Sequence, residues 1–303
     1  MDFSSLLRQV HLRSGTYVML RPGITLRLSY PEPIQTLGPH IADILESYMQ
    51  FISPEVLGTY LASNGAWKVL PKRVLARDLE ELRSIPPHYE FVEYHYGHGE
   101  PSHVGHYGAH FVGSHLRNVS APHEENLLLL EFPHDLLEKR SPDTFIDYVT
   151  NVANRHPFGS GLAGYAFKHL HLTFRDEAFA SIRQLAPRYI GFDISSDSAA
   201  EYSRDRVYNV SWLTLLGTHL VAELGGTDAI RAALPRSIGI LPLRGGVLLR
   251  ASEQPIVGDV NRGAQDVAPL RAMAALTRSL RLKAPNVGPG VDFTAEWLAR
   301  LDA

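Results

Sequence analysis

The segment from His156 to Gly217 constrains this chain most, because its glycines have a spacing that two folds would use in opposite ways. Gly159, Gly161 and Gly164 fit the pattern G-x-G-x-x-G. In a dinucleotide-binding fold that pattern follows a strand, opens a helix, and has an acidic residue about 20 positions further on. Here the order is reversed. Residues 144–154, which precede the glycines, have helical apolar spacing, and residues 165–174 are aromatic and partly alternating, as in a strand. Asp176 and Glu177 come too early for the acidic partner and Asp193 too late. The glycines therefore mark a passage from helix into buried strand, placed where φ is positive or backbones touch. Gly159, Gly161 and Gly164, with Trp212 and Gly217 further on, are expected to be structural, and no cofactor is expected.

The remaining pattern mixes strands and helices irregularly. Residues 16–30 read as a strand interrupted at Arg21-Pro-Gly23. Ile41, Ile44, Leu45, Tyr48, Met49 and Ile52 share one helical face, and 71–85 is a second amphipathic helix. Extended runs at 89–96 and 106–112 suggest an antiparallel pair, and the apolar run 127–132 a central strand. Ser141-Pro142 caps the helix through 154, and later segments give short helices at 218–225 and 227–234, a hairpin at 237–251 and a helix at 269–282. The fold class is α+β, a mixed, largely antiparallel sheet flanked by helices. The chain reads as one domain over 1–303, with a weak subdivision near 173–187 and a C-terminal tail over 284–303.

Chemistry-bearing clusters are few. Seven of the 15 histidines (His95, His98, His103, His106, His110, His115 and His123) fall within one short region. The spacings of His95 with His98, and of His103 with His106, suit a metal chelate, so a metal-dependent hydrolase is the alternative reading. Against it, alternation along a strand scatters ligands to both faces, and the favoured expectation is a polar, aromatic hairpin surface. Acid pairs such as Glu80-Glu81 and Glu124-Glu125 read as solvated faces. Asp193, Asp197, Glu201 and Asp205 recur every four residues and, on a helix, would share a broad acidic face suited to steering a basic partner.

The net charge of −3 offers no field for nucleic acid, and the absence of cysteine fits a reducing compartment. Neither a signal peptide nor a membrane-length apolar run is evident, so a cytoplasmic protein is expected.

Several motifs taken in order carry a resemblance. Gly161-Leu-Ala-Gly164 with Tyr165 and Phe167, Tyr189-Ile-Gly-Phe-Asp193, Val210-Ser-Trp-Leu-Thr-Leu-Leu-Gly217 and Leu224-Gly-Gly226 resemble the type VI secretion immunity proteins directed against VRR-Nuc-type nuclease effectors. Arg21-Pro-Gly-Ile-Thr-Leu-Arg-Leu28 and the segment closing at Leu280 fit the same family. The resemblance covers roughly Val18 to Leu282; the histidine segment 95–115 and the tail after Ala284 are not features it anticipates. It implies a non-enzymatic antitoxin without catalytic residues, whose partner is a cognate effector toxin in the cytoplasm. On that reading Asp193, Asp197, Glu201 and Asp205 contribute to the interface.

Overall fold

The computed structural model describes residues 3–53, 55–115, 126–170, 173–194, 206–262, 267–282 and 290–302, and the structural statements below concern these. Their strands form one antiparallel sheet in the order β10-β11-β9-β8-β2-β7-β6-β5-β3-β4, with β1 (Arg8–Leu12) attached to β2 off this path. The central strands are β2 (Gly15–Tyr30), β7 (Asn126–Pro133) and β8 (Ser160–His169). On one side of them lie β6 (Gly108–Ser114), β5 (Phe91–His98), β3 (Leu57–Leu61) and the three-residue β4 (Trp67–Val69). On the other lie β9 (Leu213–Gly217), β11 (Gly246–Arg250) and β10 (Gly239–Leu243). Strands from both sides of residues 173–187 thus join one sheet, β8 pairing directly with β9.

Alternation along each strand sorts the core. Ile24, Leu26 and Leu28 of β2 lie beside Phe132, Leu130 and Leu128 of β7 and face α1 (Ile34–Ile52), α2 (Lys72–Arg83), the one-turn α3 (Leu136–Lys139) and α4 (Pro142–Ala153). Helix α4 is capped as its sequence suggests, with the Thr144 N–H donating to Ser141 Oγ at 3.2 Å. The opposite face carries another apolar patch. Leu216, Val247 and Leu249 pack with Leu220, Ile230 and Met273 from α6 (Thr218–Glu223), α7 (Thr227–Ala233) and α8 (Ala268–Thr277). Leu20 and Phe167, on the same face of the sheet as Ile24, pack with Ile182 of α5 (Arg175–Leu185) and Trp297 of α9 (Val291–Leu298). Towards β5, β6, β7 and β8 that opposite face carries buried polar side chains, among them His95, His110, Glu131 and Lys168.

The interruption expected at Arg21-Pro-Gly23 does not occur, and β2 runs unbroken for 16 residues. Pro22 pairs with Phe167 of β8, while the ladder to β7 starts only at Gly23, just past the proline. Partners on both sides override a local breaker. Gly23 is needed for packing: a Cβ there would come within 2.5 Å of Lys168 Cε and 2.6 Å of the Phe132 carbonyl oxygen.

The glycine passage behaves as its context suggests, with helix before and strand after. Gly161, Gly164 and Gly217 are required by close approach, and neither they nor Gly159 have positive φ. A Cβ on Gly161 would reach 2.6 Å from Leu28 Cδ2 and 2.8 Å from the Arg27 carbonyl oxygen. On Gly164 it would collide with Ser211 Oγ, and on Gly217 with the Phe158 and Gly159 carbonyls. The Gly159 carbonyl also accepts from the Gly217 N–H at 2.9 Å. Trp212 is buried and donates its indole N–H to the Ser252 carbonyl at 2.8 Å.

Candidate partner-binding site

The polar part of the second face is a seam crossing β5, β6, β7 and β8. Glu93, His95, His110, Glu131 and Lys168 lie side by side because register places His95 opposite His110 and Glu131 opposite Gly108. His95 Nε2 is 2.6 Å from Glu93 Oε1, and the two Nδ1 atoms of His95 and His110 are 2.7 Å apart. A carboxylate only accepts, so His95 Nε2 carries a proton, and the Nδ1–Nδ1 contact holds one more between the rings. His110 Nε2 lies 3.7 Å from Glu131 Oε2, and Lys168 Nζ lies 3.8 Å from the same oxygen.

Lys168 is fully buried and also donates to the Gly105 and His106 carbonyls at 3.0 and 2.7 Å, pinning the connection between β5 and β6. Burial pulls its ammonium down to about 8, partly offset by Glu131. Burial pushes the Glu131 carboxyl up, but Lys168 and His110 outweigh it and hold the group below its ordinary value. A Cβ on Gly108 would come within 2.6 Å of Glu131 Oε2, so the ion pair needs glycine on the neighbouring strand.

The histidine region is therefore not the polar surface expected, since His95 and His110 are buried. Nor do its four proposed ligands converge. His95 is bound into the seam, whereas His103 packs on the Tyr17 ring and accepts from the Val18 N–H at 3.4 Å. His98 and His106 face each other edge to face at 5.7 Å, and Arg21 reaches His106 Nε2 at 3.1 Å. A guanidinium can only donate, so that nitrogen is bare. Burial, then Arg21 and Lys168, lower His106 to about 4. Among the described residues no group of three or more His, Cys, Asp or Glu is placed to hold a metal ion.

Of the periodic acids, only Asp193 is described. It is 1% exposed, and its Oδ1 accepts from Asn209 Nδ2 at 3.3 Å, while Asn209 Oδ1 accepts from Arg300 at 3.1 Å. Burial draws the Arg300 guanidinium down to about 9 against the pull of Asp193. Asp193 is thus committed to the interior and is not on an open acidic face. Asp197, Glu201 and Asp205 lie outside the described residues.

The open concavity is elsewhere, a groove of about 560 Å³ between β5, the β3–β4 hairpin and α2. Asp78 and Glu81 project into it from α2, and Phe91, Glu93 and Tyr94 from β5. Asp78 accepts from the Tyr96 hydroxyl at 2.8 Å and from Arg77 at 2.7 Å. Burial, then the carboxylates of Glu81 and Asp78, push the Tyr94 phenol well above its ordinary value. Phe91 is 55% exposed at the rim. Of the pair Glu80-Glu81, which reads as a solvated face, Glu81 lines the groove beside Tyr94. Phe91 and Tyr94 gave no sequence signal beyond strand alternation, which does not reveal an open edge.

The fold is shared with a solved type VI secretion-system protein. The Pseudomonas aeruginosa T6SS protein PA0821 superposes with a TM-score of 0.82 at 20% identity, over 98% of this chain and 88% of that one. The family follows from the sequence: residues 40–301 match the TsiV model, described as type VI immunity for VRR-NUC, and the chain belongs to that family. It is a type VI immunity protein. No curated protein matches it. No helix among the described residues is long and apolar enough to cross a membrane.

Proposed function

We propose that this protein binds a VRR-Nuc-type effector toxin delivered by a neighbouring cell and neutralises it in the cytoplasm by covering its toxic domain, without catalysis of its own. The supporting observation is the family match over residues 40–301. The physical logic is that a nuclease must hold a polyanion against a basic surface. An inhibitor that occupies this surface gains association rate and specificity from acidic groups. Asp197, Glu201 and Asp205 are proposed to add to that field.

The test is co-expression with the nuclease domain of the cognate effector. The expected outcome is restored growth, intact chromosomal DNA and co-elution of the two chains as a stoichiometric complex. Persistent killing with both proteins soluble and separate would overturn the reading. Serine at Asp197, Glu201 and Asp205 together should slow association at low salt, and an unchanged rate would remove those acids from the interface.

A further inference from the structure

The groove beside β5 has the properties of an open sheet edge. Side chains on a strand alternate between faces, so a site on one face meets every second residue. This groove is instead lined by every residue of β5 from Phe91 to Tyr96, which places it along the strand's side. Strand β3 pairs with β5 only from Tyr96 to His98, and the chain then turns away through Ala62 towards β4.

The direction of the main chain can be read from the ladder on the far side. The His98 N–H donates to the Tyr107 carbonyl at 3.0 Å, and the Glu90 carbonyl accepts from the His115 N–H at 2.9 Å. Residues of even number in β5 therefore address β6, and Phe91 turns its N–H and carbonyl to the groove. Natural sheets shield such edges with very short strands, lysine or proline. Strand β4, three residues long with Lys68, shields the end of the sheet in this way, but Phe91 begins the strand without such cover.

The side chains state what would fit. Carboxylates at Asp78, Glu81 and Glu93 face cations at Lys68 and Arg77; Arg77 is already bonded to Asp78, and Glu93 to His95 on one side. The balance is acidic, next to an exposed aromatic ring and the partly buried rings of Tyr60 and Tyr94. Aromatic and acidic groups beside an accessible edge favour an extended segment that pairs by its main chain and carries basic side chains.

We propose that this groove is where the effector docks, an extended basic segment of its toxic domain adding as a strand to β5 along Phe91. The inference rests on the immunity reading above. Added strands take most of their affinity from main-chain hydrogen bonds, with the flanking side chains setting specificity. Phe91 is then the aromatic anchor of the interface.

The experiment measures binding of the inactivated VRR-Nuc domain of the cognate effector to the full-length protein and three variants. Phe91→Ala removes the ring, Phe91→Pro also removes the N–H facing the groove without touching the ladder to β6, and Glu81→Lys reverses the charge. Phe91→Pro should weaken binding by about 30-fold or more, the size of an interface hot spot. Phe91→Ala should weaken it less, and Glu81→Lys should act mainly on the association rate, with the loss shrinking at high salt. Should Phe91→Pro fold poorly, a photo-crosslinking residue at position 91 reports directly, and a crosslink to the nuclease domain is expected. Wild-type binding with all variants within twofold, or no crosslink from position 91, would overturn the groove and leave the immunity function standing. Failure of the wild type to bind would overturn both.

Discussion

Strand β5 serves two regions of opposite character. On one face it carries the seam, in which His95, His110, Glu131 and Lys168 are buried and Glu93 stands at the open end, and along its side it opens into the groove with Phe91 at the rim. Both contain carboxylates and rings, yet the physical commitments differ. In the seam the charges of Glu131 and Lys168 have lost water and face each other, so they act in folding. In the groove the exposed groups keep water until another molecule displaces it. Charge and aromatic content alone therefore do not distinguish a binding surface from an internal device; burial and pairing do.

That contrast can be broken at several points. The largest effect is expected for Lys168→Met, which leaves Glu131 buried without its cation and two carbonyls without a donor. A loss of about 3–5 kcal/mol in urea unfolding is expected, with the folded fraction still binding effector as the wild type does. Adding Glu131→Leu to it should return part of that loss, since a buried pair replaced whole costs less than one half removed. Lost effector affinity in folded Lys168→Met would instead place the seam in the interface.

Gly108→Ala comes next. Its Cβ would press on Glu131 Oε2 from 2.6 Å, and about 1–3 kcal/mol of destabilisation follows from overpacking. Calorimetry showing no change in melting temperature would mean that the seam yields more easily than its packing implies.

The pH dependence is graded and has a defined sign. His106 is held at about 4 in the folded protein against 6.5 ordinarily, so the unfolded chain takes up its proton first as the pH falls. Stability should decline between pH 6.5 and 4 on this account, and His106→Gln should flatten that part of the curve of urea midpoint against pH. Lys168, at about 8 against 10.5, acts at the other end: the unfolded chain holds the proton longer, so stability should rise from pH 8 towards 10.5, and Lys168→Met should abolish the rise.

The smallest effect on stability is expected in the groove itself. Phe91→Ala changes an exposed side chain and should stay within about 0.5 kcal/mol of the wild type. A much larger loss would make Phe91 part of the fold and not of a docking surface.

Much of this architecture was legible before any coordinates. The hairpin of β5 and β6, the central β7 and the capped α4 all follow from local rules of period and capping. The order and spacing of the motifs between Val18 and Leu282 pointed to the family. What misled was locality. Pro22 looked like a break because its partners Phe167 and, just beyond it, the β7 ladder are far away in sequence. Asp193 looked like one member of an acidic face, whereas Asn209 and Arg300, distant in the chain, draw it inside. The histidines read as a surface or a chelate, but the cross-strand pairing of His95 with His110 and their neighbour Glu131 make those two a buried pair.

By itself, then, the sequence determined the kinds of elements and the family, because each depends on residues near one another or on their order. Tertiary structure alone decided which charges are buried and which edge stays open. Those outcomes depend on register: where β3 stops pairing with β5, and which residues of β6, β7 and β8 fall opposite one another. Strand side chains alternate with period two, so a shift of one residue would exchange the seam for the core and close or move the groove.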